Sequence, residues 1–208
     1  MPLGQYKDFS YVTRQSLKNA LAEESLSLSD SDIDALMKSY DSLSIFPDVA
    51  ATLEKLRGKP DILPVVFSNG THSMVSASVT KSPDLKEYAD VFKDLVVVEE
   101  VQKFKPAPEV YKYLAKKVGK DPESKEDMGN IWLISGNPFD ITGARAMGWN
   151  AIWVDRAGKG WVDGLVEGEK GRPTETVKSL DSIVTTIASD SSEELTGQWR
   201  EMHGAREI

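Results

Sequence analysis

The sequence predicts an α/β protein built on a doubly wound, Rossmann-like parallel sheet. Three observations predict it. From Ile62 onward, short apolar runs alternate with segments of helical periodicity. The runs are apolar at consecutive positions, as in Ile131-Trp132-Leu133-Ile134 and Ala151-Ile152-Trp153-Val154, which suits strands covered on both faces. The runs end in polar residues, and in open α/β sheets ligands bind just past the carboxyl ends of the strands.

Residues 5 to 24 read as a helix, with Phe9, Val12, Leu17, Ala20 and Leu21 near one face. Ser25 to Ser29 is a polar break. Ser29 or Asp30 caps a second helix to about Leu43, with Ile33, Leu36, Met37 and Tyr40 at helical spacing; such a stripe usually packs on a core. This helical pair lies outside the sheet, as part of a cap or side domain. Pro47 opens a short helix that ends near Gly58. Strands follow at Ile62–Phe67 and Leu95–Val98, with a helix from His72 to Val79 between them. Glu99 to Lys105 is a loop, and Pro106 to Val118 a helix.

The Ile131–Ile134 strand leads through the turn Gly136-Asn137-Pro138 into a helix from Phe139 to Met147. Gly148 sits where a C-cap glycine would. The Ala151–Val154 strand is followed by a Gly-rich loop, a short edge strand at Thr176–Val177, and a helix capped by Ser179 or Asp181 that ends at Ile187. Residues 189–208 form a polar tail, loosely attached, in which Leu195 and Trp199 suggest one amphipathic turn.

The 208 residues carry a formal charge of −8, which argues against nucleic acid and anionic membranes as partners. There is no cysteine, hence no disulfide, thiolate nucleophile or thiolate metal site, and two histidines do not make a histidine-rich one. No run approaches the length of a membrane span or a signal peptide. A cytoplasmic protein is expected.

Three strand ends bring candidate residues to one edge: Ser68 and Asn69, then Lys105, then Ser135, Asn137 and Asp140. Each has a plainer reading. Ser68, Asn69 and Thr71 could only cap the next helix. Lys105 alone reads as a solvated loop lysine, and Asp140 suits a first helical turn without any chemistry. His72 reads as exposed, and Trp132 and Trp153 as core.

Taken in order, these segments resemble the haloacid dehalogenase superfamily, and within it the type II L-2-haloacid dehalogenases. The resemblance runs from Tyr6 to about Ile187. It rests on Val65-Val66-Phe67-Ser68-Asn69-Gly70, on Phe104-Lys105-Pro106-Ala107-Pro108-Glu109-Val110-Tyr111, and on Ile134-Ser135-Gly136-Asn137-Pro138-Phe139-Asp140. It implies a partial helical cap at 1–44, an α/β core at 45–188 and the tail beyond. It also implies hydrolysis of a 2-haloacid: an aspartate carboxylate displaces halide to give an ester, which water then cleaves. By resemblance, Ser68 and Asn69 hold the substrate carboxylate, Lys105 orients the nucleophile, and Asn137 cradles the halide. Asp140 positions water or Lys105, while Ser135, Tyr111 and Phe139 complete the wall. Magnesium-dependent members place a carboxylate four residues before the last aspartate. Gly136 stands there, so neither metal nor cofactor is expected.

The family's nucleophile belongs to an Asp-x-x-Gly-Thr motif on a central first strand, and this sequence contains no such motif. That strand would lie between the Ile62–Phe67 and Ile131–Ile134 strands. Without it, two rows of backbone groups lose partners at about 1–3 kcal/mol each. The expectation is therefore a fragment inactive by itself, or a chain that closes the gap otherwise, as by strand exchange in a homodimer. Two alternatives stay open. One is a non-catalytic remnant that binds a partner or small carboxylate. The other is an enzyme with reassigned acid–base chemistry on Lys105 and Asp140.

Overall fold

The computed structural model describes residues 5–189. Helix α1, Phe9–Glu23, starts where the Asp8 carboxylate accepts the Tyr11 N–H, later than the expected residue 5. Helix α2, Asp30–Ser39, opens on a capping box between Ser29 and Asp32 and passes into a 3-10 turn at Tyr40–Ser42. The two helices are paired by Arg14 with Asp34 and by Lys18 with Asp30. Their apolar stripe is used less than expected. Ile33 is buried, whereas Leu36 and Tyr40 are exposed and α1 buries no residue. Two helices laid side by side cover one stripe only, and among the described residues no third layer encloses the other. Contact with the core runs through Ser78 Oγ to the Tyr40 carbonyl and through the Phe9 and Phe104 rings.

Helix α3, Pro47–Arg57, begins with proline at its first turn. Strand β1, Val65–Ser68, leads into α4, His72–Lys81, whose cap is the Thr71 hydroxyl on the Met74 N–H. After β2, Asp94–Val97, come α5, Pro108–Lys117, and α6, Lys125–Gly129. The polar stretch that holds α6 showed no helical apolar period, and Ser124 caps it on Asp127. Strand β3, Trp132–Ser135, α7, Pro138–Ala146, and β4, Asn150–Val154, follow closely as expected. Gly148 turns the chain at φ +84°, which glycine tolerates. Strand β5, Glu175–Val177, is the edge, and helical structure runs from Leu180 through residue 189. Leu195 and Trp199 lie outside the described residues.

All pairing is parallel, with Val65 beside Asp94, Trp132 beside Asn150, and Ile152 beside Glu175. The strands form two sheets, β1-β2 and β3-β4-β5, and among the described residues no ladder joins β1 to β3. Period-2 alternation gives each strand two apolar faces. On one face Leu133, Ala151 and Trp153 pack with Val110, Tyr111 and Leu114 of α5 and Ile141 and Ala144 of α7. On the other, Trp132, Ile134 and Ile152 meet Leu56 of α3 and Ile183, Val184 and Ile187. The winding is therefore double.

Asp48 latches α3 to the second sheet. Its Oδ2 accepts from Arg156 Nη1 and from the Leu180 N–H, both at 2.7 Å. The Arg156 hydrogen bond holds the Asp48 carboxyl below the usual carboxylate range, while burial pushes the other way. Asp48→Asn should cost about 1–3 kcal/mol in urea denaturation at neutral pH. The folded pKa is lowered, so this contribution is complete above the unfolded value of about 3.9 and disappears as pH falls through the folded one. The stability gap to the parent should narrow below about pH 4. A gap constant into acid would contradict the assignment.

Candidate active site

The site lies at the carboxyl ends of β1 and β3, where the sheet is parted. Strand β1 delivers Ser68 and Asn69. The Asn69 side-chain oxygen accepts the Lys105 N–H at 2.8 Å and so ties down the loop after β2, in which Lys105–Pro106 is cis. Lys105 Nζ then donates to the Phe67 carbonyl at 2.9 Å and to Asp140 Oδ2 at 3.1 Å. It also stands 4.4 Å from the Phe67 ring centroid, a cation–π distance. Asp140 sits in the first turn of α7, where the helix dipole favours an anion. Ser135, ending β3, donates its hydroxyl to Asp140 Oδ2 at 3.1 Å and accepts the Asn137 N–H at 3.1 Å.

The Lys105 and Asp140 side chains are each 6% exposed. Burial pushes the Lys105 ammonium below its ordinary pKa, and the adjacent Asp140 carboxylate opposes the shift. A lysine has three N–H donors, and two are committed here. Asp140 Oδ1 is buried without a hydrogen-bond partner among the described residues. The site thus offers one ammonium N–H and one carboxylate oxygen on side chains that are themselves almost fully buried. That arrangement can fix an anionic or polar group beside Lys105.

Lys105, Asp140, Ser135 and Asn69 form one bonded cluster, as expected. Ser68 borders the same cavity, although its Oγ also accepts the Gly70 N–H at 3.0 Å. Asn137 and Phe139 line the cavity rim and are exposed. Tyr111 is placed differently from the expectation. It is fully buried behind α7, with its hydroxyl donating to the Asp140 backbone carbonyl at 3.4 Å, and it does not line the cavity. Its ring packs edge-on against Phe67 and Trp149, at 5.5 and 5.3 Å between centroids. An apolar residue at a core-facing helical position already carries this reading.

Two further residues escaped the sequence reading. Glu99 accepts the His72 N–H at 2.6 Å, placing a carboxylate on the N-terminus of α4. Nothing local marks it, since the contact spans two loops. Gly143 lies inside α7, and a Cβ there would collide with the Tyr111 hydroxyl. A glycine in a helix interior is a signal of close approach that was available.

A cavity of about 1500 Å³ extends from this cluster down between the sheets. Apolar residues dominate its walls, among them Leu53, Leu56, Val75, Leu133 and Ile183.

A family profile described as haloacid dehalogenase-like hydrolase matches residues 3–148. The chain is 31% identical over 179 residues to an (S)-2-haloacid dehalogenase of Pseudomonas fluorescens, covering 86% of this chain and 71% of that one. It is 29% identical over 187 residues to haloacetate dehalogenase H-2 of Moraxella, covering 89% and 76%. Among solved structures, a dehalogenase at 27% identity superposes with a TM-score of 0.72 over 88% of this chain and 74% of that one. The fold also matches an L-2-haloacid dehalogenase of Xanthobacter autotrophicus with chloropropionic acid covalently bound, at 24% identity, TM-score 0.73, and coverage of 89% and 78%.

Gly143→Ala should lower stability by about 1–3 kcal/mol through overpacking, despite alanine's helix preference of about 1 kcal/mol. Tyr111→Phe in that background removes the nearest of the three Tyr111 atoms that the new methyl strikes, while the ring carbons remain, and should recover part of the loss. Urea denaturation of the three proteins measures this; a stabilising Gly143→Ala would contradict the packing.

Proposed function

We propose, from the premise that this chain belongs to the haloacid dehalogenase-like hydrolase family, that its site takes the carboxylate of a small 2-haloacid and serves hydrolytic dehalogenation. The observation that carries the reading is the buried Lys105–Asp140–Ser135 cluster at the strand carboxyl ends. It joins a cation poised for a carboxylate to an apolar cavity. The relatives' names supply the substrate class.

In this reading Ser68 and the Asn69 amide NH2 hold the substrate carboxylate. The Asn69 oxygen is committed to Lys105. Lys105 orients the attacking carboxylate by its remaining N–H, and Asp140 keeps Lys105 charged and in place. Asn137 and Phe139, at the rim, receive the halide side. Tyr111 acts from behind, by positioning α7. Attack forms a carbon–oxygen ester bond and expels halide with the bonding pair; water then cleaves the ester, giving a 2-hydroxyacid and a proton. The setting proposed is cytoplasmic. Among the described residues, no helix is long and apolar enough to cross a membrane.

A divalent cation fits these residues poorly. Gly136 brings no ligand, and Asp140 Oδ2 is held by Lys105 and Ser135.

Among the described residues the cavity wall carries two carboxylates, Asp61 and Asp140; Asp140, at the Lys105 end, is already engaged, so no free carboxylate stands there to attack. The 208-residue chain should therefore bind L-2-chloropropionate without turning it over. Titration followed by backbone NMR should move the Ser68, Asn69 and Lys105 amides, and Ser68→Ala should weaken the binding. Chloride release should stay at background. Absence of those shifts would overturn the substrate assignment, and sustained chloride release would overturn the assignment of Asp140 to a supporting role.

A further inference from the structure

We propose that Lys105 is also a nucleophilic amine, which condenses with the carbonyl of a small 2-oxoacid to form an imine. The proposal rests on the preceding reading at one point only, that a carboxylate docks at Ser68 and Asn69. An amine attacks through its nitrogen lone pair, so a proton acceptor must stand beside the ammonium. Asp140 Oδ2 stands 3.1 Å from Nζ, and both side chains are almost fully buried. Keeping two charges there costs desolvation free energy. One proton moved across that contact leaves a neutral amine beside a neutral acid. The same burial lowers the pKa of Lys105, as in lysines that form Schiff bases. Nζ is committed to the Phe67 carbonyl and to Asp140, which leaves a third direction for approach. Lys105 lines the large cavity, whose walls are mainly apolar.

The substrate class follows from what lies beside the nitrogen. Nζ bonds the carbonyl of Phe67, the residue before Ser68, so the ammonium and the carboxylate donors share one strand end. Asn69 Oδ1 is held by the Lys105 N–H, which leaves the Asn69 NH2 to donate. Ser68 Oγ accepts from Gly70, which leaves its O–H to donate. A carboxylate held by these two groups brings its neighbouring carbon toward Nζ. In a 2-oxoacid that carbon is the carbonyl. The ammonium first passes a proton to Asp140 Oδ2. The freed lone pair then forms the nitrogen–carbon bond, the carbonyl π pair moves to oxygen, and that oxygen takes the proton back from Asp140. A second nitrogen proton goes to the hydroxyl, the carbon–oxygen bond breaks, and water leaves. The product is a protonated imine, one positive charge in place of another, beside the restored Asp140 carboxylate and the Phe67 ring.

The test treats the purified 208-residue chain with glyoxylate and sodium cyanoborohydride, which reduces the imine to a stable carboxymethyl amine, and maps the adducts by peptide mass spectrometry. Exposed Lys116 serves as the internal reference. Labelling at Lys105 should exceed that at Lys116 by about tenfold or more. With acetaldehyde, which has the carbonyl but no carboxylate, the Lys105 to Lys116 ratio should be about tenfold lower than with glyoxylate. Ser68→Ala should lower the glyoxylate ratio and leave the acetaldehyde ratio unchanged. Labelling of Lys105 no greater than that of Lys116, equal ratios for the two carbonyls, or a glyoxylate ratio untouched by Ser68→Ala would each overturn the proposal. Competition separates it from the hydrolase reading. Amide shifts with L-2-chloropropionate but no preferred adduct would overturn this proposal alone. A preferred adduct that excess L-2-chloropropionate does not suppress would sustain it and count against the 2-haloacid site.

Discussion

The buried ion pair between Lys105 and Asp140 is the contact on which the arrangement of this molecule turns. One partner is fastened to the first sheet, through the Phe67 carbonyl and the Asn69 side chain. The other is fastened to the second, through Ser135 and the first turn of α7. No backbone ladder crosses from β1 to β3 among the described residues, so side chains join the sheets. A pair this deeply buried carries a desolvation cost of several kcal/mol per ion, and its Coulombic gain repays that only with further hydrogen bonds. The structure supplies them on both sides, along with the Phe67 ring beneath the ammonium.

Two apolar or polar clamps share the task. On one face Phe67 of β1 stacks edge-on against Tyr111, and Tyr111 against Trp149, linking the first sheet to the helices of the second. On the other face Asp48 ties α3 to Arg156 and Leu180. Of the residues in these three contacts, Phe67, Trp149, Leu180, Lys105 and Asp140 line the cavity, with the polar ones at one end of it. The same geometry thus explains a parted sheet and a site with a cation at its mouth. Family membership gives that site a chemical direction; the buried cluster gives it a physical one.

Much of this was legible in the residues. Consecutive apolar runs such as Trp132-Leu133-Ile134 identify strands covered on both faces, and the structure pairs them in parallel. Polar residues after those runs identified the edge where Lys105, Asp140 and Ser135 converge. What stayed hidden depends on contacts distant in sequence. Glu99 on the α4 terminus and Asp48 on Arg156 are pairings that no local pattern announces. Tyr111 lies behind α7 rather than on the cavity wall, because a motif places a residue in sequence without saying which side of a helix it faces. The α2 stripe misled in the opposite way: apolar spacing marks a face that could be covered, and only the third dimension says whether it is.

The most direct measurement is a double-mutant cycle on Lys105→Met and Asp140→Asn, read by urea denaturation. If the pair clamps the sheets, each single change should cost about 3 kcal/mol or more by stranding a buried partner. The double variant should then be more stable than the sum of the losses implies, with a coupling of at least about 2 kcal/mol. Losses that simply add, within about 0.5 kcal/mol, would mean that the two residues act independently and that the sheets are held by other contacts.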